Sequence, residues 1–118
     1  MKCLHIITPV KDSIDSTLET VKAIMESDIL VPFTYTVYND FSTEENPHRL
    51  EEAARQWNFR LVNLSDLTDH PSPNYLLVLQ TAQKEAIEAD AGLLIVESDV
   101  IVKKNTLQSL YNGALQQK

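Results

Sequence analysis

The chain of 118 residues predicts an α/β fold, a mostly parallel sheet with helices on both faces, on three observations. Short aliphatic or β-branched runs alternate four times with segments whose apolar residues recur at helical spacing. Parallel strands need crossover connections, and such helices supply them. Each strand-like run ends in a polar turn carrying Pro, Asn, Asp or Glu, where an open α/β sheet places its ligands. The length suffices for one core and not for two, so residues 1–118 read as a single domain.

Cys3 to Thr8 is apolar and partly β-branched and stops at Pro9, which lacks an amide donor; it is the first strand. Ile14, Leu18, Val21, Ile24 and Met25 then mark a helix, with Asp12, Ser13 and Ser16 as candidate caps. Phe33 to Tyr38, between Pro32 and Asn39-Asp40, is the second strand. A second helix starts from a Ser42–Glu45 capping box or at Asn46-Pro47, and buries Leu50, Ala53, Ala54 and Trp57. Phe59 to Leu64 alternates as a third strand, and Ser65 to Asn74 is a polar loop with two prolines. Tyr75 to Ala89 makes a third helix, stopped by Asp90-Ala91-Gly92. Leu93 to Val96 reads as a fully buried strand, and Thr106 to Leu115 as a last helix with Leu107, Leu110, Tyr111 and Ala114 facing inward.

Composition removes several function classes. Apolar residues make up 43% of the chain, which excludes a disordered polar polymer. No apolar run approaches the ~18 to 20 residues of a membrane span, and Met1 to Ile7 is too brief for a secretory leader, so the expected compartment is cytoplasmic. One cysteine, Cys3, allows neither an internal disulfide nor a thiolate zinc cluster, and its expected role is strand packing. The net charge of −7 argues against nucleic acid as a partner. It leaves free nucleotides open, because backbone amides and a carboxylate-bound cation can hold phosphates.

The residues after the strands are Pro9-Val10-Lys11-Asp12, Asn39-Asp40-Phe41-Ser42, Ser65-Asp66 and Glu97-Ser98-Asp99. Glu97 and Asp99 stand two apart, so an extended continuation points both to one side. Two hard oxygen donors of this kind suit magnesium or manganese beside a diphosphate; the spacing alone suits two solvated carboxylates equally. His5 lies within a strand and reads as a packed or hydrogen-bonded histidine. His48 and His70 share no ligand spacing with it, which makes zinc improbable. Trp57 reads as core and Ser42 as a cap, and no Ser-His-Asp arrangement is supported.

Three segments in order resemble family 2 glycosyltransferases. Leu4-His5-Ile6-Ile7-Thr8-Pro9-Val10-Lys11-Asp12 is similar to that family's opening strand and Pro-Val-Tyr-Asn turn. Asn39-Asp40-Phe41-Ser42-Thr43-Glu44 resembles its Asp-Asp-Gly-Ser-Thr-Asp, and Glu97-Ser98-Asp99 its Asp-x-Asp. The resemblance implies a Rossmann-like GT-A fold, here the nucleotide-binding half. It implies that Pro9, Val10, Lys11, Asp40, Glu97 and Ser98 contact a nucleotide sugar, with Asp40 accepting a hydrogen bond from the base. By the same resemblance Asp99, with Glu97, would ligate Mg or Mn. Phe41 stands where the family has glycine, and a positive φ there would strain a bulky residue by ~1 to 2 kcal/mol.

The reading that follows is the donor-binding region of a glycosyltransferase, moving a sugar from a nucleotide diphosphate to an acceptor hydroxyl on a glycan, lipid or other compound. The family carries its general base well beyond the Asp-x-Asp, and no acid follows Asp99, so the base is expected beyond residue 118. The chain is accordingly expected to be an N-terminal part of a longer protein, membrane-peripheral in its full form, inactive alone and able to form a homodimer. The alternatives are a noncatalytic α/β module that binds a nucleotide or partner, or a response-regulator-like domain, which Lys11-Asp12 and Lys103-Lys104 imitate loosely.

Overall fold

The computed structural model describes residues 2–116. It contains β1 (Cys3–Val10), α1 (Ile14–Met25), β2 (Phe33–Asn39), α2 (Asn46–Trp57), β3 (Arg60–Asn63), α3 (Tyr75–Glu88), β4 (Ala91–Ile95) and α4 (Thr106–Gln116). All four strands are parallel in the order β3-β2-β1-β4. The chain winds outward from β1 through β2 to β3 and then crosses back to lay β4 on the other side of β1. The order in which strands are added therefore reverses between β1 and β4, and the crevice beyond their carboxyl ends is where such sheets bind ligands.

Alternation along β1 and β2 sorts the core into two layers. Leu4, Ile6, Val10, Tyr35 and Val37 pack with Val21 and Ile24 of α1, Leu50 of α2, and Leu107 and Tyr111 of α4. Ile7 and Tyr38 pack beneath α3 with Val78 and Ala82. Helices thus cover both faces, as the strand–helix alternation predicts. No helix among the described residues is long and apolar enough to cross a membrane.

Several local expectations are corrected. β1 runs through Pro9 to Val10. Ile7 C=O accepts the Val96 amide, while Leu4 N–H and Val10 C=O bond toward β2 at Pro32 and Asp40. Odd residues of β1 therefore face β4, and β4 ends at Ile95, opposite Ile7. The missing amide of Pro9 lies past that end and costs no ladder bond. Leu93 to Val96 is not a fully buried strand: β4 is an edge strand, Leu93 and Leu94 are half buried and Ile95 is 38% exposed. In α4, Leu107 and Tyr111 face inward but Leu110 is 51% exposed and Ala114 is exposed too.

The caps also differ. No side chain caps α1 or α2. Ser42 does not form a capping box with Glu45; α2 begins at Asn46 with Glu45 as its N-cap, one residue before the expected Asn46 cap, and Pro47 stands in its first turn. At the end of α3 it is Asp90, not Gly92, that adopts positive φ, at 51°. Gly92 lies within β4. The third strand is shorter than Phe59 to Leu64, and a 3-10 turn at Leu64–Asp66 opens the loop that follows.

Glu85 fastens α3 to the sheet. Its carboxylate accepts two bonds from the Arg60 guanidinium, at 2.9 and 2.7 Å, and one from Tyr38 Oη at 3.1 Å. Arg60 holds the Glu85 carboxyl below its usual range, while burial, helped by Glu85, pushes the Tyr38 hydroxyl up to about 12. His5 is 6% exposed and hydrogen-bonds Thr34 Oγ1 through Nδ1 at 2.7 Å, as expected of a packed histidine. Burial lowers its pKa below the usual 6.5, against the pull of Glu85.

These shifts set the pH dependence of stability. Because folded His5 resists a proton that the unfolded chain accepts at its usual 6.5, stability is full above that value and declines as pH falls below it. Glu85 and Asp12 have depressed folded pKa values, so their contributions are present above 4.5 and 3.8 and are lost on further acidification, that of Asp12 as pH falls to about 2. Urea titrations across pH should show two successive losses, with His5→Gln abolishing only the upper one.

Candidate donor cleft

The turns after β1 and β2 are locked together by Asp12. Its Oδ1 accepts from Thr43 N at 2.6 Å, Thr43 Oγ1 at 3.1 Å and Asn46 Nδ2 at 3.0 Å. Those bonds, led by the Thr43 amide, bring the Asp12 carboxyl down to about 2. The Asp12 amide donates to Ser42 Oγ at 2.7 Å, so Ser42 ties two loops together and does not cap α2. The Lys11 ammonium donates to the Phe41 carbonyl. Phe41 has φ 61°, the strained left-handed conformation expected where glycine is usual, and its ring packs against the layer under α3.

Asn39 stands where the resembling family has an acid, and its geometry uses both ends of an amide. Its Oδ1 accepts the Ser42 amide at 3.0 Å while Nδ2 donates to Asn63 Oδ1 at 2.9 Å on β3. A carboxylate could accept the first but not donate the second.

Asp40 is 7% exposed. Its Oδ2 accepts from Ser72 Oγ at 2.9 Å and Asn74 N at 2.8 Å, and its Oδ1 from Asn74 Nδ2 at 2.8 Å. The Asn74 amide also donates to His70 C=O at 2.9 Å, which closes the segment before α3 on itself. A carboxylate offers about four acceptor positions, so one remains on Oδ1. The peptide bond between Ser72 and Pro73 is cis.

At the carboxyl end of β4, Glu97 C=O accepts the Val100 amide at 3.1 Å, a tight turn that carries Glu97, Ser98 and Asp99 together. Ser98 C=O accepts the Thr20 hydroxyl at 3.1 Å, tying the turn to α1. Both carboxylates are exposed.

One cleft gathers Pro9, Val10, Lys11, Asp40 and Glu97 at the switch point between β1 and β4. Ser72, Pro73, Tyr75 and Val78 complete its walls. Ser98 and Asp99 adjoin it on the same turn but do not line it. Its enclosed part is about 180 Å³, below the ~300 Å³ at which closed ligand pockets begin, so it is a shallow wall open to solvent. Among the described residues no three His, Cys, Asp or Glu side chains converge on a metal position. A cation here would take at most Glu97 and Asp99 from the protein and complete its shell with phosphate and water, a donor set that suits magnesium or manganese.

Sequence reading named Asp12 as a helix cap and as a residue after the first strand, not as the tie between two turns, and it missed Ser72, Asn74 and Tyr75. For the last three the available signal is Ser72-Pro73-Asn74 directly before a helix, a turn and helix-start composition within the segment that reads as a polar loop.

No protein-family model matches the chain, and no curated protein matches it in sequence. Solved structures do match. TarS of S. aureus superposes with TM-score 0.65 and 21% identity over 98% of this chain and 33% of its own. The mannosyltransferase PcManGT of Pyrobaculum calidifontis, in complex with GDP-Man and Mn²⁺, has TM-score 0.68 and 19% identity over 91% of this chain and 30% of its own. Glucosyl-3-phosphoglycerate synthase of Mycobacterium tuberculosis, with Mn²⁺, UDP and glucosyl-3-phosphoglycerate, has TM-score 0.62 and 16% identity over 97% and 40%. The chain spans about a third of the length of these proteins. All are GT-A glycosyltransferases, and the fold of this chain is the Rossmann-like α/β fold that they share.

Proposed function

We infer that the chain forms the donor-binding wall of a glycosyltransferase that passes a sugar from a nucleoside diphosphate to an acceptor hydroxyl. One observation carries the reading: Pro9, Val10, Lys11, Asp40 and Glu97 line a single cleft at the switch point of a GT-A sheet. Structural neighbours in complex with UDP-GlcNAc and with GDP-Man and Mn²⁺ support it.

In this reading the remaining acceptor position on Asp40 Oδ1 takes an N–H of the base. Tyr75, an exposed aromatic at the first turn of α3, stacks on the base, and Lys11 faces the phosphates. Glu97 and Asp99 hold Mg or Mn, which when bound neutralises the diphosphate and stabilises it as a leaving group. None of these side chains is assigned the deprotonation of the acceptor.

Calorimetry with UDP and GDP, with and without Mn²⁺, tests the reading. The expected result is weak binding of at least one nucleotide that Mn²⁺ strengthens, with the gain removed by Asp99→Asn or Glu97→Gln. Absence of binding in every combination would sink it; binding indifferent to metal and to Asp99 would remove the metal role.

A further inference from the structure

A hollow of about 550 Å³ opens at the other end of the sheet, beside the starts of β1 and β2 and the last turns of α3. It shares no lining residue with the donor cleft. Its size falls within the ~300 to 1,000 Å³ of small-molecule sites. Met25, Phe33 and Ala89 give it apolar walls, and His5, Arg60 and Glu85 supply its polar groups.

The polar groups are unevenly satisfied. The His5 side chain is 7% exposed, and its Nε2 is buried with no hydrogen-bond partner. Glu85 Oε1 lies 3.5 Å from that nitrogen and 2.7 Å from Arg60 Nη2. A carboxylate only accepts, so the neutral ring carries its proton on Nε2 and receives the Thr34 hydroxyl at Nδ1. Glu85 Oε1 thus stands among three donors and serves two of them, Arg60 and Tyr38, leaving His5 unserved. A shift of about 0.7 Å would bring it to ordinary hydrogen-bond length from His5.

We propose that this hollow binds a small carboxylate with an apolar body, whose oxygens take over the Arg60 guanidinium while Glu85 turns to His5. The Arg60 side chain is 49% exposed and presents the planar fork that pairs with carboxylates through two parallel bonds. The exchange gives the orphaned Nε2–H its acceptor. It also brings a second carboxylate beside one guanidinium, a charge that protonation of His5 balances. The groups facing His5 are Glu85 from α3, Arg60 from β3, Thr34 from β2 and Cys3 two residues before it on β1. Of these only Glu85 stabilises the imidazolium, so the ligand is bound together with a proton.

Benzoate and its neutral analogue benzamide are the probes, followed by calorimetry and amide NMR on the whole chain. Benzoate should perturb Thr34, Arg60 and Ala89 saturably and raise the ionised fraction of His5, read from its ring nitrogen shifts. Its affinity should rise as pH falls from about 7.5 to about 5.5, by at most about tenfold per unit for one linked proton. Arg60→Gln should abolish binding, and His5→Gln should leave weaker binding without pH dependence; should His5→Gln fail to fold, the ring shifts of the unmodified protein read the same proton. Equal binding of benzamide, pH-independent binding, shifts confined to Asp40 and Tyr75, or no saturable binding would each overturn the proposal.

Discussion

Asp40→Ala should cost about 3 kcal/mol of stability, because it strands a backbone amide, a side-chain amide and a hydroxyl that a buried carboxylate now satisfies. The loss should be local before it is global. Ser72 and Asn74, which lead into α3, lose their hydrogen bonds to the turn after β2, so hydrogen exchange at Asn74 and Val78 should accelerate more than at Ile6 or Val37. Asp40→Asn should cost less but not nothing, since its amide nitrogen would face donors on at least one side. Urea melts of the three proteins with exchange at those four amides check the result. Uniform acceleration everywhere would mean that Asp40 acts on the sheet as a whole and not on the cleft wall.

Tyr75→Ala should weaken nucleotide binding about 5- to 150-fold, the equivalent of the roughly 1 to 3 kcal/mol that stacking a base on an aromatic ring supplies. Tyr75 is 44% exposed, so stability should change little while affinity changes much. Tyr75→Phe should retain most of the affinity, because the ring and not the hydroxyl carries the contact. Pyrophosphate with Mn²⁺ should bind both proteins alike, which separates the base from the phosphates. If UDP and GDP bind Tyr75→Ala as they bind the parent chain, the base does not rest on this ring.

The order of elements was legible because burial and hydrogen bonding repeat along the chain. Ile14, Val21 and Ile24 at helical spacing, and Phe33 to Tyr38 in a β-branched run, announce a helix and a strand by themselves. Pro9, Val10, Lys11, Asp40 and Glu97 were nameable as candidates because a strand that ends in a polar turn identifies its own last residues. Their resemblance to known motifs set them in order.

What each acid binds was not legible. Asp12 and Asp40 both follow strands, yet one is spent on Thr43 and Asn46 and the other on Ser72 and Asn74, partners more than thirty residues away. Ser42 and Glu45 have the spacing of a cap, but the Asp12 amide claims the hydroxyl first. A local pattern states which bonds are possible; it cannot state which distant donor arrives.

By itself, then, the sequence determined the α/β class, the parallel alternation and the turns that carry the candidate acids, since these depend on neighbours three, four or two residues apart. Only the tertiary structure decided that β4 lies at an edge, that Tyr75 joins Pro9 in one cleft, and that Glu85 stands between Arg60 and His5. Those facts depend on the order β3-β2-β1-β4 and on the placement of α3 across it, where residues as distant in the chain as Ile7 and Val96 meet. Side-chain contacts over such separations are selected by the packing of the whole sheet and leave no periodic trace in the chain.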